Sequence, residues 1–152
     1  MGAMTTVQPG VIVMSDEECL ERLRGQVVGR LGVCLREGPE IFPINYVVDR
    51  GGVVFRTAAG AKLAGAVLGN RVVFEVDGVD QGSGDAWSVI VKGRATEVER
   101  VDDLVEALAL PLYPWHAAPK HHFVRIEPIE ITGRSFAIVD PAVWNDPVRT
   151  SR

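Results

Sequence analysis

Apolar and polar positions alternate along most of this chain. Leu31, Val33 and Leu35 share one face of 28–35, Val53 and Phe55 share one face of 53–57, and Trp87, Val89 and Val91 recur at every second position of 86–100. A period of two belongs to an extended strand, whose successive side chains point to opposite sides. Six strands are predicted: 28–35, 40–49, 53–57, 71–77, 86–100 and 123–131, with 136–139 extending the sheet. Glu37-Gly38-Pro39 and Arg50-Gly51-Gly52 read as turns, and 78–85 as a polar, glycine-rich loop. Pro43 and Pro128 have no N–H for a ladder, so each marks an edge, a bulge or an interruption.

Three stretches break the alternation with a helical pattern. Ser15-Asp16-Glu17-Glu18 is a capping box, with Met14 and Cys19 placed as a hydrophobic staple and Leu20, Leu23 and Val27 as one stripe. A helix is predicted over 16–26. A second, over 60–68, buries Leu63, Val67 and Leu68 and stops at Gly69-Asn70. A third starts at Asp102-Asp103 and is ended by Pro111, and 112–122 is irregular. Residues 1–14 form an arm, of which Met1-Gly2-Ala3 reads as a cloning scar; 15–140 form the domain and 141–152 a tail. Short turns between strands exclude parallel crossovers, and no Gly-x-Gly-x-x-Gly turn is present. The fold expected is mainly β: a six-stranded antiparallel barrel with short helical insertions.

Composition agrees. The chain holds 24 Val and 8 Ile against 10 Leu, an excess of β-branched residues that suits a pleated surface over a helix. Its 152 residues make one domain. A net charge of −4 argues against a nucleic-acid partner. No apolar run is long enough to span a membrane and no secretory signal precedes the domain, so a cytoplasmic location is expected. Cys19 and Cys34 lie in different elements and are expected to be free, buried thiols in a reducing compartment. With no Cys-x-x-Cys pair, and with His121 and His122 adjacent and therefore divergent, no metal site is expected.

The segment richest in chemistry is 53–63. A strand ends in Arg56-Thr57, a small-residue loop follows, and a helix opens with Lys62 in its first turn. Two cations, a hydroxyl and open helix amides suit a phosphate. The plainer alternative is a solvated Lys62 with Arg56 paired to a surface carboxylate. Pro43-Ile44-Asn45 offers an extended, uncharged run that can lie along a planar ligand, with the Asn45 amide supplying donor and acceptor; a plain bulged strand is its alternative. Trp87 and Ser88 face opposite sides of their strand, so one meets the core and the other a ligand, a second subunit or solvent. Glu75 and Asp77 read as the end of an edge strand rather than a catalytic acid pair. Ser88, His116, His121 and His122 match no nucleophile-elbow pattern. Trp115-His116 either covers a pocket or pins its loop.

The order of these segments, Phe55-Arg56-Thr57, Lys62-Leu63, Ser88-Val89-Ile90-Val91-Lys92-Gly93 and Ile126 to Gly133, resembles the pyridoxamine 5′-phosphate oxidase-like family of FMN-binding split barrels, in its actinobacterial branch. The resemblance covers about 15–135. It implies an FMN-binding homodimer with flavins at the subunit interface. Arg56, Thr57 and Lys62 would hold the phosphate, Pro43, Ile44 and Asn45 would run along the isoalloxazine, and Ser88, with its neighbour Trp87, takes the place of a flavin-contacting residue. Two departures stand out. The family's Arg-Lys pair is here Ala61-Lys62, and Gly133-Arg134-Ser135 replaces the Arg-Leu-His-x-Arg substrate motif, so pyridoxamine phosphate is not the expected substrate. The resemblance implies a flavin-dependent oxidoreductase acting on a small molecule, with hydride transfer carried by the cofactor and no catalytic side chain assigned. Alternatives are a reductase using the deazaflavin F420, or a non-catalytic flavin or haem carrier.

Overall fold

The computed structural model describes residues 10–57, 62–112 and 122–138. Eight strands and three short helices follow one another within them: β1 Val11–Met14, α1 Asp16–Arg24, β2 Val28–Leu35, β3 Gly38–Asn45, β4 Val47–Asp49, β5 Gly52–Thr57, α2 Lys62–Val67, β6 Arg71–Val79, β7 Asp85–Glu97, α3 Val101–Leu108 and β8 His122–Ala137. All pairings between named strands are antiparallel, in the order β3-β2-β6-β7-β8-β5-β4, with β1 added to β8. The two ends of that order, β3 and β4, are joined by Tyr46 alone. The sheet therefore curls until its ends meet, and the fold is an antiparallel split barrel.

Two local events raise the strand count from the six expected to eight, and a third lengthens the last strand. Part of the N-terminal arm, Val11–Met14, pairs with Gly133–Phe136 and becomes β1. The second predicted strand breaks at Tyr46, whose N–H turns aside to donate to the Val27 carbonyl at 3.2 Å. The last two runs join as one sixteen-residue β8, because Pro128 is absorbed in a bulge: Lys92 pairs with Glu130 and Gly93 with Pro128, leaving Ile129 without a partner. Gly93 is required there, since a Cβ would stand 2.3 Å from the Glu127 carbonyl oxygen.

Helix α1 starts as its sequence dictates. The Ser15 N–H donates to Glu18 Oε2 at 2.7 Å and the Glu18 N–H to Ser15 Oγ at 3.3 Å. It ends two residues early, with Gly25 as cap, leaving Val27 exposed. Its Cys19 and Leu23 enter the barrel core with Leu31, Phe55, Phe74, Val89, Val91 and Ile126. Tyr46 locks this helix down: its hydroxyl donates to the Leu23 carbonyl at 2.5 Å. A second, smaller cluster lies outside β5, where Val54 and Phe123 meet Ala107 of α3 and Leu112.

Two further expectations are corrected. Glu75 and Asp77 do not end an edge strand: β6 lies between β2 and β7, and both carboxylates accept from Arg30, at 2.7 and 2.6 Å. Cys19 is buried but Cys34 is exposed, because the alternation of β2 turns Val33 inward and its neighbour outward. Residues 58–61, 113–121 and 139–152, which include Trp115, His116, His121 and the predicted tail, lie outside the described residues.

Candidate functional site

The hairpin of β4 and β5 assembles the site. Arg50 and Gly51 both take positive φ, 48° and 74°, the left-handed geometry of a tight hairpin turn. Val47 then pairs with Val54 and Asp49 with Gly52. Followed back from Val47, the same register would set Asn45 opposite Arg56, and β3 does approach β5. Alternation settles the faces. Ile44, Tyr46 and Phe55 point into the main core, while Val47 and Val54 point outward into the second cluster. Asn45 and Arg56 share that outer side, and the Arg56 guanidinium lies 4.9 Å from the centre of the Phe123 ring, a cation–π contact. The outer side of β5 is thus covered by α3 and Leu112, and Arg56 is half-buried in it rather than solvated.

Thr57 points the other way and is 3% exposed. It pairs across the ladder with His122, whose Nδ1 contacts Glu97 Oε1 of β7. Lys62 opens α2 near this end of the barrel, since the residues after the helix return to β7: the Gly69 N–H donates to the Ala95 carbonyl at 2.8 Å. Pro43 is exposed on β3. The structure therefore sets Asn45 and Arg56 on the outer side, turns Ile44 and Thr57 inward, against the expectation that Arg56 and Thr57 share one face, and leaves Pro43 exposed on β3. It leaves Trp87 and Ser88 elsewhere. The Val98 N–H bonds to Phe123, the partner of Arg56, whereas Ser88 sits opposite Asp77 and Arg134. From Ser88 to Val98 the strand runs roughly 30 Å, at about 3.3 Å per residue, beyond the reach of one mononucleotide. Trp87 is 4% exposed, with the Arg22 guanidinium 5.3 Å from its ring centre, and Arg22 in turn pairs with Asp80 at 2.9 Å.

The His122–Glu97 contact had no signal in the sequence. Twenty-five residues separate the two, and only the β7–β8 register joins them. Also unforeseen is a cleft of about 480 Å³ beside Asn45. Val27, Val47 and Leu112 form its apolar walls, and Arg24 and Gln26 stand with Asn45 as its polar groups. Its back is fixed by the two Tyr46 hydrogen bonds, to Leu23 and Val27.

Among solved structures, an FAD binding protein from Mycobacterium smegmatis is 42% identical, with a TM-score of 0.76 over 84% of this chain and 100% of that one. A protein from Corynebacterium glutamicum described as a pyridoxamine 5′-phosphate oxidase candidate is 41% identical, at the same TM-score, over 84% of this chain and 99% of that one. The uncharacterized protein Rv0080 of Mycobacterium tuberculosis is 33% identical over 128 residues, 81% of this chain and 84% of that protein. The family model for pyridoxamine 5′-phosphate oxidase matches residues 15–135, from the Ser15 cap to the Ser135 position of β8. With the split barrel and this span of matching sequence, the chain belongs to the pyridoxamine 5′-phosphate oxidase family.

Proposed function

We propose that the protein is a flavin-nucleotide-dependent oxidoreductase that works as a homodimer on a small molecule other than pyridoxamine phosphate. The observation that carries this reading is that Asn45 and Arg56 both take the outer side where β3 approaches β5, with Thr57 and Lys62 following in the chain at that strand end. A guanidinium, a hydroxyl and a lysine suit the 5′-phosphate, and the Asn45 amide suits a heterocycle edge. A bound flavin supplies hydride transfer. The chain's own part is to hold the phosphate, orient the ring along Pro43–Asn45 and exclude water with α3 and Leu112. Ser88, remote within one chain, reaches such a site from the second subunit.

FMN and FAD share the riboflavin 5′-phosphate that this strand end would hold. The M. smegmatis relative, described as FAD binding, favours FAD as the form carried. F420 is less favoured: its long anionic tail calls for a broad basic groove, and the arginines near the site, Arg50 and Arg125, are already paired with Asp49. Pyridoxamine phosphate is set aside because Gly133-Arg134-Ser135 is held in a ladder between β1 and β7. The free thiols Cys19 and Cys34 suit a cytoplasmic location.

The test is thermal stabilisation by added FMN and FAD, which follows RT ln(1 + [L]/Kd). Arg56→Ala is expected to lower the stability of the ligand-free protein by about 0.5–1 kcal/mol, the worth of its contact with Phe123. It should also reduce the flavin-induced rise in Tm. Lys62→Glu should weaken flavin binding by roughly tenfold or more while the fold survives, since a carboxylate suits a helix start. Equal flavin-induced shifts in wild type and both variants would remove the phosphate site.

A further inference from the structure

The cleft beside Asn45 differs in charge from two other grooves of the described residues. On the outer sheet face, Arg71 and Lys92 are balanced by Glu40 and Glu130. In the crevice by the β4–β5 turn, Arg50, Arg100 and Arg125 face Glu97, Asp103 and Glu127, among other residues. Among the described residues the cleft holds Arg24 and no carboxylate. Its charge is therefore positive on a chain whose net charge is −4. Arg24 makes no hydrogen bond or ion pair among the described residues, unlike Arg22 and Arg30 near it in sequence.

The rest of the cleft is apolar and preformed. Val27 is 64% exposed at its rim, an apolar side chain left without cover where α1 stops at Gly25. Val47 and Leu112 face it from β4 and from the segment after α3. The Tyr46 hydroxyl and N–H fix both flanking segments, so the walls need no rearrangement to receive a ligand. Apolar walls in a cleft of about 480 Å³, the Gln26 amide and a guanidinium with no ion pair among the described residues suit a ring-sized apolar body that carries one anionic group.

We propose that this cleft is the substrate subsite, and that its substrate is a planar, largely apolar carboxylate whose ring lies against Val27, Val47 and Leu112 and whose carboxylate meets Arg24. The proposal rests on the flavin reading above for the word substrate, because Asn45 belongs to both the cleft and the expected flavin wall. Arg24 is then a specificity-determining residue: it selects the anion and takes no part in electron transfer.

The test is calorimetric titration of the purified, flavin-saturated protein with 1-naphthoate and with its neutral counterpart 1-naphthalenemethanol. Naphthoate is expected to bind roughly tenfold or more tighter than the alcohol, as a charge-assisted contact provides. Arg24→Gln should bring the two affinities together by weakening naphthoate alone, and Arg24→Lys should restore part of the preference. Arg24 is exposed and makes no hydrogen bond or ion pair among the described residues, so both variants are expected to keep the wild-type Tm. Absence of naphthoate binding, equal affinities in wild type, or a preference that survives Arg24→Gln would overturn the proposal. So would loss of naphthoate binding on flavin saturation, which would make the cleft part of the flavin's own seat. If no flavin binds at all yet naphthoate binds through Arg24, the anion cleft stands and the flavin reading falls.

Discussion

Tyr46 is one residue with three duties. It breaks the second predicted strand, fills the core with its ring edge-on to Phe74 at 4.8 Å, and ties α1 to the barrel through the Leu23 carbonyl. Burial pushes its phenol well above the ordinary range, so the hydroxyl remains a neutral donor throughout physiological pH. Tyr46→Phe keeps the ring and leaves the Leu23 carbonyl with only the Gln26 N–H, at 3.3 Å, as donor. A loss of about 0.5–1.5 kcal/mol is expected, read as a lower urea midpoint at unchanged m. An unchanged midpoint would mean that water replaces the hydroxyl. At this scale the sequence was legible where chemistry is local: Ser15 and Glu18 make both bonds of the capping box. It was illegible where the partner is distant. Tyr46 reads as one more apolar position of a strand, and nothing near it in sequence announces Leu23.

Among the elements, β7 and β8 form the longest ladder, and it passes a single irregularity at Gly93. The glycine lets the bulged β8 backbone approach; a methyl would meet the Glu127 carbonyl oxygen at 2.3 Å and the Ile126 side chain at 2.9 Å. Gly93→Ala is therefore expected to destabilise at the upper end of the roughly 1–3 kcal/mol range of overpacking, because the obstacle is backbone and cannot rotate away. Thermal unfolding would show it, and a Tm within a degree of wild type would mean that the bulge relocates. Pro128 was correctly legible as an interruption, but period and proline alone do not distinguish a strand that stops from one that bulges and continues. The same limit explains β1. Four residues behind Pro9-Gly10 are too short a run to show a period, and they become a strand because β8 offers an edge, with Gly133 letting Met14 and Cys19 pack close.

For the whole molecule, closure depends on fastening β4, the terminal strand of the order, to strands beyond its neighbour. Arg125 of β8 does this by donating to the Asp49 carbonyl at 2.8 Å and to its carboxylate at 2.5 Å, across β5. The Arg125 hydrogen bond, with help from Arg50, holds the Asp49 carboxyl below the usual carboxylate range. A lowered folded-state pKa contributes stability that is complete above the unfolded value, about 3.9, and is lost as pH falls through the folded one. Asp49→Asn should therefore cost about 1–3 kcal/mol at pH 7, with a deficit that narrows as the pH is lowered through and below 4. Denaturant titrations at several pH values would measure it, and a deficit independent of pH would show that the charge is immaterial. The antiparallel barrel was legible from period and turn spacing. The site was legible in part, as the phosphate-type motif around Arg56 and the Pro43–Asn45 run. The covering of Arg56 by Phe123 and α3, the His122–Glu97 contact and the Arg24 cleft depend on long-range register, which no local pattern encodes.

A barrel that stays split must leave one long strand with a free side, and β3 is that strand. An open flank of this kind is ordinarily a template on which another chain can add itself, the first step toward fibres. Here the flank is spoiled twice. Pro39 and Pro43 remove two amide donors within one eight-residue strand, and Gly38, at φ +133°, bends its beginning into a conformation that side-chain-bearing residues avoid. An invading strand would find gaps in its row of hydrogen bonds. The slit can therefore remain open to small, planar molecules while staying closed to polypeptide, and the proline that looked like a flaw in the strand pattern protects the protein from its own architecture.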